Sequence, residues 1–127
     1  TSVDARMIEH VLFNLLRNAS QYSPENSKIE IIARKEDGSE FLSLNILDEG
    51  KGFSLESQEK IFQKFYREPG SPTGGIGLGL SIVKGIVEAH GGKVSVINRL
   101  DRNGSCFKVM LPLWQEKVPE SDSKGRL

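Results

Sequence analysis

Apolar residues recur at spacings of three and four from Ile8 through Val11, Leu12, Leu15 and Leu16 to Ala19, the stripe of an amphipathic helix. Ser2-Val3-Asp4 offers N-cap oxygens ahead of it, so a helix is predicted over residues 4–21. Ser23-Pro24-Glu25-Asn26-Ser27 then breaks the period, and Lys28–Lys35, with β-branched Ile29, Ile31 and Ile32, reads as a strand. After the turn Asp37-Gly38-Ser39, the strand Phe41–Asp48 alternates so that Leu42, Leu44 and Ile46 share a face with Asp48 at its end. A short helix is predicted over Leu55–Tyr66, with Ile61, Phe62 and Phe65 as core residues. Residues 67–74, rich in Pro, Gly, Ser and Thr, read as a mobile lid. The next helix buries Ile82, Val83, Ile86 and Val87 and stops at Gly91-Gly92, with His90 packed or capping at its end. Lys93–Asn98 and Ser105–Leu111 alternate again as strands, joined through Asp101-Arg102-Asn103-Gly104. The domain closes at residues 113–114, and Gln115–Leu127, polar and without periodicity, reads as a disordered tail.

This order of elements predicts an α+β fold, a two-layer sandwich of a mixed, mostly antiparallel sheet with helices on one face. The 127 residues suffice for one core without staples. Seventeen basic and seventeen acidic side chains cancel, which removes any bulk field toward nucleic acid or an anionic membrane. Cys106 is the single cysteine, so an internal disulfide is excluded, and it is expected to pack as a small apolar residue. No apolar run approaches the ~20 residues a membrane helix needs. Because the chain opens in a helix-start signal, it reads as a fragment of something larger.

Three stretches carry candidate chemistry. In Gly74-Gly75-Ile76-Gly77-Leu78-Gly79-Leu80, glycines at alternate positions allow close backbone approach and leave amides free to face an anion, and a helix follows directly. The run lacks the Gly-Lys-Ser/Thr of a P-loop, and Leu80 replaces the last glycine of a dinucleotide fingerprint. Asn14 and Asn18 lie one turn apart on the flank of the first apolar stripe, where paired amides suit hydrogen bonding or a hard cation. Asp48 points inward at a strand end, just before the tight turn Glu49-Gly50-Lys51-Gly52-Phe53. An inward carboxylate needs donors: an exocyclic amine of a flat ligand is one source, and a strand-end Asx-turn is the other.

In their order, four motifs resemble the ATP-binding catalytic domain of bacterial sensor histidine kinases, a branch of the superfamily that also holds gyrase, Hsp90 and MutL. Asn14-Leu15-Leu16-Arg17-Asn18-Ala19 is similar to the N box and Asp48-Glu49-Gly50-Lys51-Gly52-Phe53 to the G1 box. Ile61-Phe62-Gln63-Lys64-Phe65 is similar to the F box, and Gly75-Ile76-Gly77-Leu78-Gly79-Leu80 to the G2 box. The ending Gly104-Ser105-Cys106-Phe107 through Leu111-Pro112-Leu113 also resembles the potassium-responsive KdpD sensor kinases.

The resemblance implies a Bergerat-type sandwich that binds ATP with Mg2+. It implies that Asp48 accepts from the adenine amino group, with Gly50, Gly52 and Phe53 forming the turn against the base. Asn18 would hold the metal, Asn14 would contact the phosphates or assist the metal shell, and these two would be the catalytic pair; Tyr22 would sit near the ribose and phosphates. Gly75, Ile76, Gly77, Leu78, Gly79 and Leu80 would line the phosphates and hinge the lid. The implied activity is transfer of the γ-phosphoryl group to a histidine on a separate dimeric hairpin of the same kinase, which then serves a response regulator, with potassium or osmotic sensing for the KdpD branch. This part would be monomeric and cytoplasmic, in a membrane-anchored parent.

Two positions depart from the pattern: Gln21 stands where a lysine is common, and Arg17 where an acidic residue is common. Neither His10 nor His90 fits the phosphoacceptor role. A hydrolytic ATPase of the gyrase kind would need a glutamate base four residues before the metal asparagine, where this chain has Asn14. A serine kinase of the anti-sigma type and a non-catalytic nucleotide-binding module are the other readings weighed.

Overall fold

The computed structural model describes residues 5–35, 40–69 and 79–112. Its elements are α1 (Ala5–Tyr22), β1 (Glu30–Lys35), β2 (Phe41–Leu47), α2 (Leu55–Lys60), α3 (Gly79–Ala89), β3 (Lys93–Asn98) and β4 (Ser105–Pro112). The predicted N-cap, the turn at residues 37–39, Gly75, Ile76, Gly77, Leu78 and most of the predicted lid, and the predicted tail lie outside the described residues.

The four strands form one sheet in the order β1-β2-β4-β3, with all three pairings antiparallel. Alternation decides the layers. Leu44 and Ile46 of β2 and Phe107, Val109 and Leu111 of β4 are buried on one face, against Val11, Leu15 and Ala19 of α1 and Val83 and Val87 of α3. Each such Val, Leu, Ile or Phe side chain removed from water contributes about 1.5–3 kcal/mol. On the opposite face stand Lys108, which is exposed, and the half-buried Cys106 and Met110. Phe107 is the centre of an aromatic group, with Phe53 and Phe62 edge-on at centroid distances of 6.0 and 6.1 Å and Tyr22 beyond Phe53 at 5.8 Å.

Three expectations need correction. The helix predicted over Leu55–Tyr66 ends at Lys60. Residues nine apart on a helix axis lie about 13 Å from each other, yet the Tyr66 hydroxyl is 3.2 Å from Ser57 Oγ, so the chain must fold back. Phe65, expected in the core, takes φ +69° in that reversal and is 65% exposed, while Ile61 and Phe62 do enter the core. On α3 the buried stripe is Leu80, Val83 and Val87; Ile82, expected inside, lies off that stripe and is 42% exposed.

Smaller differences have equally local causes. β1 starts two residues later than predicted because its partner β2 ends at Leu47, opposite Glu30; ahead of it the Lys28 N–H donates to Glu49 Oε1 at 3.1 Å. It is an edge strand, and Ile31 and Ile32 are exposed on it. α3 ends as its glycines predict. Gly92 N–H donates to Val87 O at 2.9 Å and Gly91 N–H to Glu88 O at 3.0 Å, with Gly91 at φ +79°, a Schellman cap. His90 is exposed, and its Nδ1 lies 2.7 Å from Ile86 O, the capping contact of the two readings.

Candidate functional site

The alternation of β2 carries Asp48 to the inner face one residue past the strand, where the residue is only 2% exposed. Its Oδ1 accepts from Gly50 N–H at 2.9 Å and Ser105 N–H at 3.1 Å, and its Oδ2 accepts from Ser105 Oγ at 2.6 Å. A carboxylate offers about four acceptor sites, so three protein donors leave room for one more. The Asx-turn is therefore present, and it coexists with capacity for an outside donor. Ser105 was missed in the sequence. The signal was there: it shares the buried parity of β4 with Phe107, Val109 and Leu111, and a hydroxyl on that face needs a polar partner.

Past Asp48, the glycine turn is shaped by the protein around it. A Cβ at Gly50 would collide with the Tyr22 carbonyl oxygen, which brings the end of α1 against the turn. Gly52 has φ +80°, and a Cβ there would come within 2.6 Å of Asn98 Oδ1. Phe53 is buried in the aromatic group, with the Tyr22 ring edge against it. The fold thus gathers Tyr22, Asp48, Gly50, Gly52 and Phe53 at one place.

A second gathering lies along α1. Asn14 Nδ2 donates to His10 O at 2.9 Å within the helix, and Asn14 Oδ1 lies 3.5 Å from where a Cβ on Gly79 would stand. The N-box helix and the first residue of α3 therefore meet at Asn14. One turn on, Asn18 Oδ1 is a buried atom with no hydrogen-bond partner among the described residues, as is Ser23 Oγ. An amide oxygen in that condition is costly unless something supplies positive charge or a donor, and a hard cation fits it. Among the described residues no group of three His, Cys, Asp or Glu could hold a metal ion, so the fit rests on the amide. Leu80 faces the core at 8% exposure, and Arg17 and Gln21 are exposed.

Charge is concentrated beside the turn. Arg99, whose side chain is 4% exposed, donates through Nε and Nη2 to the two Asp101 carboxylate oxygens at 3.0 Å each and through Nη1 to Asp48 O at 3.2 Å. The Arg99 side chain holds the Asp101 carboxyl below its ordinary range. Glu49 is lowered likewise, first by the Lys28 backbone N–H and then by Arg102, whose Nη1 is 3.0 Å from Glu49 Oε2. Burial pushes the Cys106 thiol up, which keeps it protonated and inert at neutral pH.

A sandwich with a strand-end aspartate, a glycine turn and a helix-borne asparagine pair is the layout of an ATP-binding domain. Residues 3–115 match the model of the histidine kinase-, DNA gyrase B- and HSP90-like ATPases, and the chain belongs to that family, as an ATP-binding catalytic domain of the sensor histidine kinase type. It is 41% identical over 116 residues to the sensor protein KdpD of Clostridium acetobutylicum, covering 87% of this chain and 12% of that protein. It also resembles the catalytic domain of histidine kinase ThkA in a nucleotide-free form, with TM-score 0.74 and 38% identity over 87% of this chain and 68% of that one. Full-length ShkA in complex with AMPPNP is similar too, with TM-score 0.71 and 29% identity over 84% of this chain and 21% of that one. The chain thus spans about an eighth of the length of the KdpD relative.

Proposed function

We propose that this domain binds Mg-ATP and passes the γ-phosphoryl group to a histidine on a separate dimerisation and phosphoacceptor domain of its parent kinase, which in turn serves a response regulator. The observation that carries the reading is Asn18 Oδ1, buried and without a hydrogen-bond partner among the described residues, on the helix that also presents Asn14 to the start of α3. In this reading Asn18 holds Mg2+ through that oxygen, and Asn14 lies at the phosphates with Gly79. A magnesium ion held there would supply charge neutralisation at the phosphates. Asp48 accepts from the adenine amino group with its remaining capacity on Oδ2, and Tyr22 borders the ribose. Gly75, Ile76, Gly77 and Leu78 belong to the phosphate side by their place before α3.

Transfer rather than hydrolysis is supported by Asn14 itself. A neutral amide is too weak a base to take a proton from water, so the position lacks the base that would activate it. Neither histidine serves as the acceptor in this reading, so the domain acts as a monomeric donor toward a partner hairpin. Similarity to KdpD supports a potassium-linked signal and a cytoplasmic position beneath a membrane-anchored sensor in the parent.

The test is transfer from γ-labelled Mg-ATP to a separately expressed acceptor hairpin, for the wild-type chain and Asn18→Ala. Acid-labile, alkali-stable label that disappears with Asn18→Ala is the expected outcome. Nucleotide binding with no transfer would instead favour a non-catalytic binding module, with Arg17 and Gln21 the first residues to exchange.

A further inference from the structure

Four side chains of the β3–β4 hairpin reach back to the segment between Asp48 and Phe53. Ser105 holds the Asp48 carboxylate, Arg99 its carbonyl, and Arg102 the Glu49 carboxylate. These all grip the near end of the turn. Asn98 grips the far end with both halves of its amide: Oδ1 accepts from Phe53 N–H at 2.8 Å, and Nδ2 donates to Phe53 O at 2.9 Å.

The geometry is specific to an amide. Asn98 ends the edge strand β3, beyond which no further strand pairs among the described residues, and its side chain presents to Phe53 the one donor and one acceptor that a neighbouring backbone would. The turn is moulded to it, since Gly52 takes φ +80° and a side chain at 52 would strike Asn98 Oδ1. Phe53 is also anchored by Gln58 Nε2, which donates to the same carbonyl at 3.0 Å, and by its buried ring, so the fold does not depend on Asn98 alone.

We propose that Asn98 is a positioning residue for base recognition: by fixing the far end of the Gly50–Phe53 turn, it holds the turn and Asp48 as one rigid edge against the base of the nucleotide. The proposal rests on the reading that the segment from Asp48 to Phe53 receives the adenine. Its consequence is a division of labour, in which Asn98 governs selectivity for the base and leaves the phosphate end alone.

Binding of ATP, GTP and inorganic triphosphate, each with Mg2+, is measured by calorimetry on the wild-type chain, Asn98→Ala and Asn98→Asp, with thermal unfolding of each protein alongside. Both bonds exist before the nucleotide binds, so only the part of their net strength that goes into ordering the turn reaches affinity, on the order of tenfold. Asn98→Ala is expected to weaken ATP by about that factor and to narrow the ATP over GTP preference, with triphosphate unchanged. Asn98→Asp has the same size and keeps the acceptor but loses the donor to Phe53 O, so it should lose selectivity in the same way. Equal losses for all three ligands would reduce Asn98 to a structural staple and overturn the proposal. So would folded variants that keep the full ATP preference. A wild-type chain that binds ATP and GTP alike would overturn the adenine reading of the segment itself, and the proposal with it.

Discussion

Asp48 has more donors than a bare strand end would provide, and the surplus comes from the far end of the chain. Ser105, fifty-seven positions away, gives it a backbone N–H and a hydroxyl, and those donors offset the cost of burying a polar group at 2% exposure. Ser105→Ala removes the 2.6 Å hydroxyl donor and leaves Oδ2 without a partner among the described residues. That change should destabilise the fold by about 1–3 kcal/mol, read as a lower urea midpoint at unchanged slope. Asp48 and the asparagine pair were legible in the sequence because a polar residue at an apolar parity stands out. Ser105 carries the same signal of parity on β4, but only the fold shows that Asp48 is its partner; Asn98 carries none, because an asparagine at a strand end is ordinary until a partner distant in the chain is known.

At the scale of an element, α3 shows two glycines with opposite roles. Gly85 is exposed in mid-helix, and a Cβ there would meet nothing within 4 Å. Gly91 stands past the helix end at φ +79°, where a Cβ would make only ordinary contact with Pro112, so backbone strain alone is at stake. Gly85→Ala should therefore stabilise by about 0.5–1 kcal/mol. Gly91→Ala should destabilise by about 1–2 kcal/mol. Thermal unfolding of the two variants checks the signs. The capped end of α3 was readable from Gly91-Gly92, because the left-handed position nearly demands glycine. The end of α2 was not: Ile61, Phe62 and Phe65 keep helical spacing, and only the return of Tyr66 to Ser57 breaks the helix after Lys60.

For the whole molecule, the β3–β4 hairpin is tied to the rest by Arg99, through Asp48 O, and by Arg102, through Glu49, while Asp101 braces Arg99 from within the hairpin; the Asp101 and Glu49 carboxyls are both held below their ordinary values. The sign follows directly. A lowered folded value means that the unfolded chain binds protons first, so the stabilisation is complete above the unfolded values of about 3.9 and 4.3 and is lost as pH falls through the lowered ones. Urea unfolding between pH 5 and pH 2.5 should show this acid loss in the wild-type chain and a shallower slope in Asp101→Asn. The sequence alone determined the helix and strand periods, the α+β layering, the box motifs and the inward aspartate, since each is written in local spacing or in the intrinsic demands of glycine, proline and buried charge. The tertiary structure alone decided which hairpin residues hold the Asp48–Phe53 turn, which apolar residues of α2 and α3 are left outside, and that Asn14 meets Gly79. Those outcomes depend on distances between segments far apart in the chain, and the packing of the sheet against α1 and α3 sets those distances.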